Sequence, residues 1–239
     1  MSPIALLVLA AAACGGGTTT TVTVVHTVTV TSPASTTSAD KGATLYFLRG
    51  GKVGPVYRLV RGLGRPDLLA ALEAGPTERE RAIGFTSDMA AAPTSKTRLA
   101  QIVYTDTQFD PTADVTVEGK SYTRADFEEQ TPAILVENPL PFAHEQNAVR
   151  ITGTANTFEA TFQYELKDAT GKVLAKHFVT ATSGNGVRGT FDLSFPFTVT
   201  QQQQGTLTVY EDSAATGERI NEYAIPLTLI PSPRGTLGR

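Results

Sequence analysis

Between residues 134 and 230 the chain repeats one pattern: short β-rich runs separated by turn formers at roughly ten-residue spacing. The runs are Ile134–Glu137, Ala148–Gly153, Phe158–Lys167, Lys172–Thr182, Gly189–Val199, Thr206–Glu211 and Asn221–Ile230. Asp168-Ala-Thr-Gly171, Ser183-Gly-Asn-Gly186, Gln201 to Gly205 and Ser213-Ala-Ala-Thr-Gly217 separate them. A strand must turn its apolar side inward every second residue, so seven such runs in about 100 residues predict a β-sandwich over 132–232. Phe191, Phe195 and Phe197 recur at even spacing and belong to its core; stacking on a sugar is the rival reading.

The chain has one cysteine and no tryptophan. The Cys…Trp…Cys pin of antibody domains is therefore excluded, while immunoglobulin-like architecture stays open. Residues 41–131 read differently. Thr44–Leu48 and Val53–Val60 flank Arg49-Gly-Gly-Lys52 as a strand pair, with Pro55 suited to an edge. Pro66 and Gly75-Pro76 bracket one helix, and Thr77-Glu-Arg-Glu80 is a capping box opening another. Pro93-Thr94-Ser95 opens a third, whose apolar face is Leu99, Ile102 and Val103, extended by Phe109. Val115–Val117 and Tyr122 form a hairpin, and Thr123–Phe127 a last capped turn. The sum is a small α+β domain followed by an all-β domain.

Thr44-Leu-Tyr-Phe-Leu-Arg49, Leu68-Leu-Ala-Ala-Leu-Glu-Ala-Gly-Pro-Thr77 and Arg98-Leu-Ala-Gln-Ile-Val-Tyr-Thr-Asp-Thr-Gln-Phe109 together resemble the GerMN domain of sporulation and germination proteins. Thr123 to Glu137 is similar to that family's exit segment. Only eight residues (90–97) lie between Met89 and Arg98, where the family carries further central strands, so this copy is internally shortened. Val149–Ala160, Phe191–Phe197 and Gly205–Ser213 resemble the immunoglobulin-like domain of bacterial spore-germination proteins. That resemblance implies a non-catalytic binding or spacer module.

Ile4–Ala13 is apolar and uncharged, too short for a membrane span of about 20 residues but suited to a secretory signal. Ala11-Ala-Ala-Cys14-Gly15 resembles a bacterial lipobox, although Ala11 stands where Leu is usual and no basic residue precedes the run. The resemblance implies lipidation at Cys14 and an extracytoplasmic protein held at the outer face of the cytoplasmic membrane. Two acyl chains on one residue satisfy the two signals that stable anchoring requires. A buried helix with an incidental cysteine is the alternative. The expected order is signal peptide 1–13, Cys14 and tether 14–40, α+β domain 41–131, sandwich 132–232 and tail 233–239. Half of the twenty residues from Thr18 to Thr37 are threonine, which favours an extended tether over an added strand. Residues 15–40 could span roughly 85 Å. His26 there reads as solvent-exposed.

No His-Glu-x-x-His, Gly-x-Ser-x-Gly or phosphate-loop pattern occurs, and one thiol cannot build a cysteine zinc site. Ser38-Ala-Asp-Lys41, Ser87-Asp88-Met89 and Lys96-Thr97-Arg98 are fragments of a serine β-lactamase signature, too incomplete and too closely spaced to form that site. His177 reads as a polar-face strand residue, Glu128-Glu129 as surface carboxylates, and Gln201–Gln204 as a polar hairpin loop. We therefore expect no enzyme and no cofactor. The net charge of −3 argues against nucleic acid. One asymmetry remains. From Lys41 to Pro66 there are six basic residues and no acidic one, and Arg49, Lys52, Arg58, Arg61 and Arg65 are the candidate anion-binding set. Acids elsewhere in 41–131 balance that charge, so a plain solvated surface competes with it. The function expected is binding or scaffolding in the cell envelope, linked by resemblance to sporulation, germination or wall signalling. The partners would be the membrane and an envelope protein or wall polymer; an electrostatic polymer binder is the alternative.

Overall fold

The computed structural model describes residues 40–232. Cys14, the apolar run before it, the Thr/Val-rich segment through residue 39 and the tail 233–239 lie outside the described residues. Strands β1 (Lys41–Arg49) and β2 (Lys52–Val60) pair antiparallel from Lys41↔Val60 to Arg49↔Lys52. Gly50 and Gly51 take φ of +60° and +77°, the backbone a two-residue hairpin needs for its twist to match the strands. Helices α1 (Arg65–Glu73) and α2 (Glu78–Arg81) follow. At the start of α2 the Thr77 N–H donates to the Glu80 carboxylate at 2.8 Å, closing the expected capping box.

Strand β3 (Phe85–Thr86) pairs with the free side of β1 but is only two residues long. This sheet has the order β2-β1-β3, so Pro55 does sit on an edge strand. Helix α3 (Lys96–Asp106) is capped by Ser95 and lays Leu99, Ile102 and Val103 into the core with Leu45, Phe47, Leu72 and Phe85. Phe109 does not extend that face. The helix ends at Thr107, whose hydroxyl donates back to the Val103 carbonyl, and Phe109 lies beyond it, 70% exposed. A hairpin of β4 (Val115–Val117) and β5 (Lys120–Tyr122) leads into a 3₁₀ helix, Arg124–Gln130.

The remaining strands are β6 (Ile134–Asn138), β7 (His144–Gln146), β8 (Ala148–Ala155), β9 (Thr161–Asp168), β10 (Val173–Thr180), β11 (Gly189–Pro196), β12 (Gln203–Asp212) and β13 (Arg219–Ile230). They form two layers. One runs β10-β9-β12-β13, and the other places β8 between β6 and β11. The short β7, absent from the sequence expectation, runs parallel to β13 and touches β8 through Gln146↔Ala148, linking the layers at one margin. Aromatic pairs cross the interior: Phe162 meets Phe191 edge-on at 4.9 Å, and Tyr164 stacks on Phe195 at 4.2 Å. Phe191, Phe195 and Phe197 are therefore core residues. The glutamine run is split: Gln203 and Gln204 belong to β12, where Gln203 pairs with Leu229.

Strand β6 joins the two halves. Its alternate side chains point to opposite faces. Ile134 and Val136 enter the sandwich core, whereas Leu135 belongs to the core of the first lobe. Glu137 follows Leu135 and reaches the Tyr46 hydroxyl of β1. Gly153 on β8 makes room for this strand, since a Cβ there would lie 2.0 Å from the Leu135 carbonyl oxygen. The described residues 40–232 accordingly fall within one compact unit.

Candidate functional site

The clefts of interest lie along the seam between the lobes, and three arginines build it. Arg124 begins the 3₁₀ helix and lies beneath the end of α3. Its Nε donates to Thr107 at 2.7 Å, Nη1 to Glu137 at 2.7 Å, and Nη2 to the carbonyls of Tyr104 and Thr107. The guanidinium also lies 4.6 Å from the Tyr104 ring. Burial, reinforced by Glu137, pushes the Tyr46 phenol well above its ordinary range, so it stays a neutral donor to that carboxylate.

Arg188 spans the seam from the other direction. Its Nε and Nη2 grip both oxygens of Glu128 at 2.8 and 2.9 Å, and Nη2 also reaches the Pro132 carbonyl. The Arg188 hydrogen bond holds the Glu128 carboxyl below its usual range against a burial effect, with help from Asn156. Between the two clamps lies a cleft of about 500 Å³ bordered by Arg124, Glu128, Thr154 and Arg188. Each guanidinium there already faces a carboxylate and backbone oxygens. This cleft has few free donors for an anion.

Arg49 makes the third crossing. Its Nη1 donates to the Ala224 carbonyl at 2.6 Å, and its plane lies 4.7 Å from the Tyr223 ring and 5.8 Å from Phe85. Lys52, across the hairpin turn, donates to the Glu129 carbonyl. Among the described residues neither cation makes a salt bridge. Together they border a second, smaller cleft of about 240 Å³ with Pro132, Glu222 and Tyr223.

The five candidate cations do not form one face. Lys52 and Arg58 are six residues apart along β2, roughly 20 Å. Arg58 grips Glu80 with both nitrogens, and although burial pushes the Glu80 carboxyl up, Arg58 and Thr77 together hold it below its usual value. Arg65 pairs with Asp106 at 3.1 Å, and Arg61 is exposed. Only Arg49 and Lys52 meet at a cleft.

Other singled-out residues lie elsewhere. His144 and His177 are both exposed, on β7 and on the outermost strand β10. Thr97 donates to Asp88, so two β-lactamase-like fragments are adjacent, as a helix-entry contact beside the Ser95 cap. Glu128 is an ion-pair partner, while Glu129 contributes its carbonyl to Lys52. Arg124 and Arg188 were not singled out by sequence. Arg188 meets Glu128 across 60 residues, and no local spacing announces such a pair. Among the described residues there is no group of three or more His, Cys, Asp or Glu placed to hold a metal, and no helix is long and apolar enough to cross a membrane.

With this geometry in view, the comparisons define the class of the second lobe. Residues 133–218 match the Gmad2 family, described as the immunoglobulin-like domain of bacterial spore germination. That lobe is an immunoglobulin-like, germination-related module within a mostly β chain. Among solved structures, CopC from Methylosinus trichosporium OB3b is 15% identical with a TM-score of 0.28, covering 42% of this chain and 97% of that one. WR4, an MSP family member of C. elegans, is 13% identical with a TM-score of 0.24, covering 42% of this chain and 98% of that one. No curated protein sequence matches the chain.

Proposed function

We propose that the chain is a non-enzymatic cell-envelope lipoprotein whose two lobes act as one rigid binding or scaffolding module in sporulation, germination or wall signalling. The reading places lipid on Cys14, uses residues 15–40 as a tether, and takes 41–131 as a shortened GerMN-like domain. The observation that carries it is the seam. A germination-type immunoglobulin-like domain shares strand β6 with the neighbouring core and is clamped to it by Arg124–Glu137 and Arg188–Glu128. Such a joint suits holding a partner in a fixed orientation.

Two measurements test it. Cys14→Ala should move the protein from the membrane fraction to the soluble fraction of the envelope; unchanged membrane retention overturns the anchor. Crosslinking in intact cells should capture one defined envelope protein; a diffuse pattern that a Cys14→Ala release does not alter argues against a scaffold. A second reading, attraction of an anionic envelope polymer, is supported by Arg49 and Lys52, which lack carboxylate partners among the described residues. Their end of the hairpin is where it would act.

A further inference from the structure

We propose that the cleft between the β1–β2 turn and the start of β13 binds a phosphate group through Arg49, Lys52 and the hydroxyl of Tyr223. The cleft encloses about 240 Å³, roughly eight water volumes. That is room for a phosphate and the first atoms of whatever carries it, and too little for a large ligand. Two cations border it from one tight turn, so their spacing is set by the paired ends of β1 and β2 rather than by flexible loops.

Both keep donors to offer. Arg49 uses one N–H on the Ala224 carbonyl and Lys52 one on the Glu129 carbonyl, leaving further N–H groups on each. Arg49 is held between the rings of Tyr223 and Phe85, which fixes the plane of its fork before any ligand arrives. Beneath it, the Tyr223 hydroxyl is buried beside the Arg49 guanidinium, which can only donate, so no described residue accepts the hydroxyl proton in good geometry. A buried hydroxyl proton without an acceptor is costly, and an oxyanion oxygen would supply one. Glu222 is the carboxylate in the lining; it is half-exposed to water, which screens its charge, with Arg219, shared with Glu165, at 3.8 Å. Glu128 also lies within reach of the Lys52 field, but Arg188 neutralises it.

Phosphate is favoured over carboxylate by charge. Two adjacent cations, neither neutralised by a salt bridge, match a dianion, and the pairing of an arginine fork with a lysine point charge suits several phosphate oxygens at once. The phosphate could belong to a small monoester, a dianion, or to a phosphodiester polymer, which carries one charge per phosphate and should fill the pocket less tightly; the polymer source rests on the second reading above, and the pocket does not.

Isothermal titration of the full chain with inorganic phosphate and glycerol phosphate, then with poly(glycerol phosphate), separates these. Saturable binding of the small phosphates should weaken about tenfold in Lys52→Gln and about fivefold in Tyr223→Phe. Arg150→Gln, at an exposed pair far along β8, should leave it unchanged. Lys52 is exposed and Tyr223→Phe removes one oxygen, so both variants should keep the fold, which circular dichroism checks. No saturable binding of small phosphates, or affinity in both variants equal to that of the parent chain, overturns the proposal even if the polymer binds. Acetate binding as tightly as phosphate overturns the assignment of ligand. Small-phosphate binding without polymer binding supports the pocket and removes the polymer source.

Discussion

The two cores put their polar groups in different places. In the first lobe, Gln101, Thr105 and Thr107 are buried on or just past α3, and Thr105 accepts a hydrogen bond from the Tyr46 backbone at 3.0 Å. Its interior is pinned by specific hydrogen bonds. In the sandwich the interior is aliphatic and aromatic, and the buried carboxylates sit at its margins. Glu165 alternates away from the core between Tyr164 and Leu166 and is paired with Lys167 and Arg219, while Glu211 accepts from Asn221 and the Phe158 backbone. A core built on area tolerates small shifts; a core built on directed bonds does not. The first lobe has a three-stranded sheet, one strand of which is two residues long, and it takes Leu135 from β6 to complete its packing. The sandwich is thus the more self-sufficient half.

Substitutions along the seam should break or sharpen this contrast. Gly153→Ala drives a methyl into the Leu135 carbonyl, and we expect a loss of about 3 kcal/mol or more in urea denaturation. Hydrogen exchange should then rise in α3 as well as β8; protection of α3 left intact would show that the first lobe does not depend on β6. Arg124→Gln leaves Glu137 and two backbone carbonyls without their charged donor. It should cost about 3 kcal/mol and open the first lobe before the sandwich.

Arg188→Gln should cost about 1–2 kcal/mol, because Glu128 is partly exposed and water screens the pair. Its sign with pH is fixed. The folded-state value of Glu128 is depressed, so the pair contributes stability above the unfolded carboxylate value of about 4.3 and loses it as pH falls through the folded value. Acid should therefore destabilise the parent chain more steeply than the variant, as read from thermal midpoints across that range. Arg150→Gln removes the surface pair with Asp192, both partners more than half exposed, and should leave the thermal midpoint unchanged within error.

The sandwich was legible because its signal is local. Alternation and turn residues located every long strand, and Phe191, Phe195 and Phe197 fell inward as their spacing implied. Strand β7 escaped because His144, Glu145 and Gln146 carry no apolar alternation; they are a strand only because β13 passes beside them. Helix starts were legible at Thr77 and Ser95, where the capping side chains are adjacent in sequence. The stop at Thr107 was not, because a side chain folding back on Val103 ends the helix before Phe109. At the site, charge counting found Arg49 and Lys52 but grouped them with Arg58 and Arg65, whose neutralising partners lie 22 and 41 residues away. Spacing along the chain shows where cations are; only the folded neighbours show which of them remain unanswered.

Strand β6 also has a consequence for how such a chain can be cut or recombined. A break at residue 131, where the composition changes, would pass between two lobes on paper but not in space. The fragment before it would have a hole shaped for Leu135, and the fragment after it would present that leucine and Glu137 to water. A gene fusion that moves the immunoglobulin-like module elsewhere must supply a new neighbour with a matching slot, or change those two positions. Inheritance of the two lobes is thereby coupled by a single five-residue strand.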